Sequence, residues 1–309
     1  MEAILLHVRR LCRPHLCVVA LIGLRFLPGA AAYAQPPAEG WYVGVDLGAA
    51  VAPQLNTLGT DNDVPTNCDQ HWPPVSVGGV SLPLPLDHPS CARSQDTWRS
   101  SVDTGTGSRM GFGVGYAFAR WRLETGYVWR WHAGGSDVGE NVGDKTVEFS
   151  YSAERFSAID TGELFASALR VFPLGAMTPY AGLGLGAMSA SMHYSTAWHR
   201  NPDPAALIAH GRHPAAAGTL TAEEQTLSDS LWAYRLIAGI DFPLRRQGAY
   251  LGLEAQYVGV SGEFADGDTW DSLRSHASSA APGGAPVRYT IHTEDLGYWS
   301  VGLRLRYFY

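Results

Sequence analysis

Lysines are few in this chain, charged residues make up only 17% of it, and beyond its first segment it has no long hydrophobic run. Each shortage excludes something. With 46% hydrophobic residues over a length of 309, and a mean hydropathy of -0.08, the chain is not of the strongly disordered class. Past residue 34 no stretch approaches the roughly 18 consecutive apolar residues of a membrane-spanning helix, which excludes a helical membrane bundle. Cysteine is scarce too, at four residues. What the chain has instead is glycine (35) and aromatic residues (11%), a composition that favours β structure.

Residues 1–34 read as an export signal. Arg9, Arg10 and Arg13 precede the apolar run LCVVALIGL, and small residues lead to Ala32-Tyr33-Ala34 before Gln35. Arg25 interrupts the apolar part, so the export reading is firmer than the cleavage position; an amphipathic first helix is the competing reading. Loss of this segment removes Arg9, Arg10, Arg13, Arg25 and Glu2 from 22 basic and 29 acidic residues, leaving 18 against 28. That balance argues against nucleic-acid binding, which leans on cationic surface. Cys12 and Cys17 go with it. Cys68 and Cys91, 23 positions apart in a proline-rich region of an exported chain, are then expected to form one disulfide; two lone cysteines make a poor zinc set.

Residues 35–309 carry eight segments of about 9–14 residues in which apolar and small or charged side chains alternate. Successive side chains of a strand point to opposite faces, so each segment reads as a strand with two unlike faces. GWYVGVDLGAAVA sets Trp41, Val43, Val45 and Leu47 against Tyr42, Gly44, Asp46 and Gly48. RMGFGVGYAFA and WRLETGYVWRWH follow, the latter with Arg122, Glu124, Gly126 and Arg130 on its polar face. The fourth, TGELFASALRVF, is the least regular: Phe165, Leu169 and Val171 are expected on the apolar face, and Ala166, Ala168 and Arg170 opposite. TPYAGLGLGAMSASM alternates leucines with Gly182, Gly184 and Gly186. LWAYRLIAGIDF carries Arg235 and Asp241 on its polar face, and AYLGLEAQYVGV carries Glu254. The chain closes on GLRLRYFY, with Arg304 and Arg306 opposite Leu303, Leu305, Tyr307 and Tyr309.

The connections alternate as well. Those around Ala119-Arg120, residues 173–176 and residues 245–248 are tight, whereas those around residues 52–108, 133–156, 192–230 and 262–296 are long. Loops beyond roughly 12–15 residues are uncommon in compact domains, and in an up-and-down meander these four share one end. The sizes of the residues decide which solvent the apolar face meets. A soluble barrel turns apolar residues inward and charge outward. Here the polar register is mostly Gly, Ala and Ser, which suits the cramped inside of a narrow barrel, and the apolar register is broad and aromatic, as a lipid-facing band is. Spanning strands need about 9–11 residues, and hydrocarbon requires every backbone group to be paired, which a sheet achieves only by closing. The expected fold is therefore all-β: an eight-stranded antiparallel up-and-down transmembrane β-barrel with long extracellular loops and short periplasmic turns. Its inward charges are Asp46, Arg122, Glu124, Arg170, Arg235, Asp241, Glu254, Arg304 and Arg306. In so narrow a lumen they are expected to pair as a plug, with a gated ion pathway as the sharper alternative.

Four stretches, TPYAGLGLG (178–186), WAYRLIAGIDFPL (232–244), YLGLEAQYV (250–258) and the terminal GLRLRYFY, resemble the eight-stranded outer-membrane β-barrel proteins of Gram-negative bacteria. These are the OmpA/OmpX-like and Opa-like group, and especially its Msp4-type, porin-like surface-antigen branch. The resemblance implies insertion by the outer-membrane assembly machinery, with Tyr307 and Tyr309 as the aromatic signal on the last strand. It also implies a setting of outer-membrane lipid and lipopolysaccharide, Sec export, and a monomer. Chemistry is thinly represented. Gly182, Gly184 and Ala187 match a dinucleotide pattern but alternate within a strand, with no turn and helix to hold phosphates. His132, Ser136 and Asp137 lie at the mouth of the third strand with no motif behind them, and eight further histidines lie in the long loops without ligand spacing. No cofactor, metal or catalytic set is expected. The reading is a non-enzymatic surface protein whose loops, holding Trp72, Trp98, Trp198 and Trp270, contact a host or environmental ligand while the barrel serves envelope integrity, with Trp198 and Trp270 alternatively girdle residues at strand ends. A small-solute channel is the alternative function, and a lipid A hydrolase or acyltransferase the third reading.

Overall fold

The computed structural model describes residues 39–52, 54–61, 76–77, 80–81, 96–140, 147–210, 217–270 and 287–309. Residues 1–34, Cys68 and Cys91 lie outside the described residues. Eight strands close into a ring: β1 (Gly40–Val51), β6 (Thr106–Phe118), β7 (Trp121–Glu140), β8 (Phe149–Val171), β9 (Thr178–Arg200), β10 (Leu220–Pro243), β11 (Ala249–Ser261) and β15 (Tyr298–Phe308). Every neighbouring pair is antiparallel, and β1 pairs with both β6 and β15, which leaves the ring without an edge. The first and last strands meet in a register that sets Asp46 opposite Arg304 and Tyr42 opposite Phe308.

The wall is inside out. Trp41, Val45, Leu47, Phe112, Leu123, Leu183, Leu236, Leu303 and Leu305 all stand exposed on the outer surface, with Trp232 at 74% and Leu185 at 66%. A soluble protein does not leave a contiguous belt of this size in water. Arginines and carboxylates face the axis instead, Arg306 and Asp241 with no exposed surface at all. Glycines make room for them: a Cβ on Gly252 would lie 2.4 Å from Asp241 Oδ1.

β8 corrects the expected register. Glu163, Phe165, Ser167, Leu169 and Val171 face the lumen, while Leu164 and Ala166 face outward. Arg170 therefore lies on the outer face, half-buried, its guanidinium 5.0 Å from the Trp121 ring centroid. The reason lies across the ladder. Phe165 is paired with Gly186 and Leu169 with Gly182, and a Cβ on either glycine would come within 2.7 Å of its partner's side chain. The bulky residues of β8 fill the volume that the glycines of β9 leave open.

Strand length is the second correction. β7 to β10 run 20, 23, 23 and 24 residues and continue well beyond the belt, so two of the expected long loops shrink to residues 141–148 and 201–219, the second holding the short helix α1 (Pro204–Ala209). Above the belt the pattern inverts. On β9, Leu183 and Leu185 point outward in the belt, but Met188, Met192 and Tyr194 are buried on the inner face above it. Water rather than hydrocarbon lies outside there, so the apolar register turns inward. The other two long loops contribute β2 (Leu55–Asp61), β3 (Ser76–Val77), β4 (Val80–Ser81), β5 (Asp96–Val102), β12 (Phe264–Asp266), β13 (Thr269–Trp270) and β14 (Val287–Thr293); β3 pairs with β4, and a second sheet runs in the order β12-β14-β2-β5 with β13 also paired to β14. Its inner side chains, Leu55, Val102, Phe264, Tyr289 and Ile291, pack with Phe156, Ile159, Met192, Tyr194 and Leu227 of the extensions. Burial contributes roughly 1.5–3 kcal/mol for each such side chain. The molecule thus has a polar lower storey within the belt and an apolar upper storey above it.

Candidate functional site

The lumen is filled in layers. At the turn end Tyr42, Ala117, Tyr250 and Phe308 form an apolar floor. Above it Arg122 Nη1 lies 2.6 Å from Asp241 Oδ2, and Arg306 Nη1 lies 2.5 Å from Asp241 Oδ1. Arg306 Nη2 donates to Glu254 Oε2 at 3.0 Å, Arg304 Nη1 lies 3.3 Å from Glu254 Oε1, and Arg304 Nη2 lies 2.5 Å from Glu124 Oε1. Arg235 Nη2 stands 3.6 Å from the same Glu124 oxygen while its Nε donates to Ser167 Oγ at 2.9 Å. Arg109 pairs with Asp46 and donates to Ser300 Oγ at 2.8 Å. Tyrosines complete the acceptors: Tyr42 donates to Glu124 at 3.1 Å and Tyr180 to Glu254 at 2.8 Å. A lone ion at this depth would be prohibitively desolvated; a chain in which Asp241, Glu254 and Glu124 are each shared between arginines is the arrangement that makes burial tolerable.

Of the nine charges singled out in the sequence, eight face the lumen and join this network, and Arg170 does not. Arg109 is an additional member, and Arg130 with Glu163 forms a second buried pair in the lumen. Arg130 Nε lies 3.6 Å from Glu163 Oε1 and donates to Thr161 Oγ1 at 3.1 Å, and Tyr298 donates to Glu163 Oε2 at 2.7 Å beneath the Arg130 guanidinium. Arg130 shares a register with Arg122 and Glu124, a signal present in the sequence. Glu163 was hidden by the inverted register of β8.

A buried carboxyl stands in the upper storey. Glu154 is buried where the second sheet meets the wall, accepting from Trp98 Nε1 at 3.2 Å, from Tyr194 Oη at 2.8 Å and from Ser100 Oγ. Burial pushes its carboxyl above the ordinary glutamate range, against the hydrogen bonds from Tyr194 and Trp98 that hold it down; nearby Asp137 adds to the rise. Burial likewise raises the Tyr194 hydroxyl well above its usual value, and Glu154 raises it further. Trp98 and Trp198, expected on the contact surface, are partly buried against the apolar core and lie 5.3 Å apart in an edge-on pair.

The other sequence candidates do not assemble. His132 is buried and its Nδ1 lies 3.1 Å from Arg130 Nη1, whereas Ser136 is exposed and lines an outer groove with Arg155, Ser195 and Glu224. Gly182, Gly184 and Ala187 all lie inside β9. His193 pairs with Glu224 at 2.8 Å and His292 with Glu263 at 3.2 Å, and among the described residues no group of three His, Cys, Asp or Glu is placed to hold a metal ion. Tyr307 and Tyr309 face outward at the turn end, with Arg246 5.5 Å from the Tyr307 ring centroid.

A closed antiparallel ring with hydrocarbon-compatible side chains outside, ion pairs inside and tight turns at one end is an eight-stranded transmembrane β-barrel. Solved structures similar to the chain include the outer membrane protein OprG from Pseudomonas aeruginosa (10% identity, 88% of this chain and 97% of that one, TM-score 0.42) and Neisserial surface protein A (12% identity, 86% and 96%, TM-score 0.35). A third is Ail, the attachment invasion locus protein of Yersinia pestis, in complex with the heparin analogue sucrose octasulfate (11% identity, 87% and 100%, TM-score 0.29). No family model and no curated protein matches the sequence.

Proposed function

We propose that this is a non-enzymatic outer-membrane surface protein: a closed barrel that anchors in and stiffens the envelope, carrying an extracellular storey that contacts a host or environmental ligand. The observation that carries the reading is the shared-carboxylate network of Arg122, Asp241, Arg306, Glu254, Arg304 and Glu124, which occupies the axis where a pore would run. The apolar upper core stands over that plug and supports the same conclusion. Against an enzyme stands the separation of buried His132 from exposed Ser136. The ligand-contacting surface is the outer face of the extensions and the second sheet rather than free loop tryptophans, since Trp98 and Trp198 are spent on the core. Under this reading residues 1–34 are removed after Sec export, Cys68 and Cys91 form a disulfide in the first extracellular connection, and Tyr307 and Tyr309 present the insertion signal to the assembly machinery.

Planar bilayers test the plug. The purified protein should give no steady conductance, and Glu254→Ala with Arg304→Ala should give some. Steady, cation- or anion-selective conductance from the unaltered protein would favour the small-solute channel instead. Lipid A mass spectra from expressing and non-expressing cells should be identical; a change in acylation would mean an enzyme.

A further inference from the structure

We propose that the turn end of the wall at β7 and β8 binds the phosphate of an anionic phospholipid, held between Arg120 and Arg170 beside Trp121. Arg170 lies in an outward cross-strand row that reads Trp121, Arg170, Ala181, Ala238. Its guanidinium lies over Trp121 at 5.0 Å from the ring centroid, and its cross-strand neighbours on the other side are the small Ala181 and Ala238, which leaves a shallow shelf. The backbone of Arg120, exposed in the β6–β7 turn, is held next to β8 because its carbonyl accepts the Val171 N–H at 2.9 Å, which puts its long side chain within reach of the same shelf. Neither arginine has a carboxylate within 4.0 Å among the described residues; Glu39, which reaches the same turn, uses Oε1 to accept the Ala119 N–H at 2.9 Å.

The surroundings fit an acyl chain as well as a headgroup. Above Arg170 the outward residues of β8 are Ala168 and Ala166, set between Leu123 on β7 and Leu183 on β9, so a shallow apolar trough runs from the arginines into the belt. The height is right. On the same face of β8, Asp160 is the next charged residue, about 33 Å along the strand at roughly 3.3 Å per residue. A tilt of about 40° turns that into about 25 Å of height, the thickness of an apolar band. Arg170 thus stands at the interface on the turn side. In the outer-membrane setting proposed above, on which this inference rests, that leaflet is phospholipid, so the occupant is a phospholipid rather than lipopolysaccharide. A guanidinium offers its N–H donors in a rigid fork that matches a phosphate, and an interfacial tryptophan is the usual neighbour of such a headgroup.

The test uses the full chain as recovered from membranes, reconstituted in vesicles of phosphatidylethanolamine and phosphatidylglycerol and then examined by native mass spectrometry for retained lipid. Retained phosphatidylglycerol should exceed its share of the vesicle, and the excess should fall in high salt. Arg170→Gln should lower the excess about fivefold and the double variant with Arg120→Gln about twenty-five-fold, as expected for two interfacial cations, while Arg170→Lys should keep part of it. Folding of each variant is read from its heat-shifted gel band, and the salt series on the unaltered protein stands whether or not a variant folds. Retained lipid of bulk composition, an excess indifferent to salt, or an excess unchanged in the double variant would overturn the proposal. So would retention of added lipopolysaccharide alone.

Discussion

Replacing Glu254 by glutamine tests whether the lumen is held by shared charge. Its carboxylate accepts from Arg306 at 3.0 Å, from Tyr180 at 2.8 Å and from Gln256, and lies 3.3 Å from Arg304, with almost no exposed surface. Glutamine keeps the shape but removes the charge and turns one acceptor into a donor facing donors. Breaking a buried pair by neutralising one partner costs about 3–5 kcal/mol. Here Arg304 keeps Glu124 at 2.5 Å and Arg306 keeps Asp241 at 2.5 Å, so the lower end applies, about 3 kcal/mol or about a hundredfold in the folding equilibrium. The assay is urea unfolding from short-chain phosphatidylcholine vesicles, followed by tryptophan fluorescence. Glu224→Gln is the control: its partner His193 lies on the exposed outer face, and such pairs contribute under about 1 kcal/mol. If Glu254→Gln costs no more than this control, the network is incidental packing and the plug argument fails.

Three further outcomes follow from the geometry. Tyr298→Phe removes the hydroxyl donated to Glu163 and leaves the ring under Arg130, so it should cost about 1.5–3 kcal/mol in the same unfolding assay; no loss would mean that Glu163 is satisfied by other groups. A Cβ on Gly115 would come 2.4 Å from Tyr42 Cζ, so Gly115→Ala should cost about 1–3 kcal/mol, and the cost should shrink in a Tyr42→Leu background, as a double-mutant cycle will measure. Glu154 binds its proton more tightly folded than unfolded, so its contribution is fully present below the ordinary glutamate pKa and is lost as pH rises through the raised folded value. Protease cutting in β5 should accelerate across that window in the unaltered protein and stay flat in Glu154→Gln; equal pH profiles would refute the assignment.

The belt was legible because two faces of one strand meet two different media. Leu303, Leu305 and Tyr307 against Arg304 and Arg306 give both the strand and its direction of facing, and the same holds for Leu183 and Leu185 against the β9 glycines. Residue size misled at β8, where Phe165 and Leu169 are large yet point inward, because Gly186 and Gly182 leave them space. The glycine run was visible in the sequence; that it demanded bulky partners from a neighbour became evident only with the pairing known. The upper storey is illegible in the sequence for a different reason. Its strands bury Met192, Tyr194 and Leu227 inward and show Ser195 and Glu224 to water, the reverse of the rule that fits the belt. Glu154 follows from neither pattern, since its three donors come from β5 and β9 rather than from its own strand.

Spin labels placed singly at Leu183, Leu303 and Ser195, with the protein in lipid vesicles, test the inside-out wall most directly. Leu183 and Leu303 should collide freely with oxygen and be shielded from a water-soluble nickel relaxant, while Ser195, on the outer face above the belt, should show the reverse. If the two leucine sites meet nickel as readily as Ser195 does, the wall does not face hydrocarbon and the molecule is a water-soluble barrel.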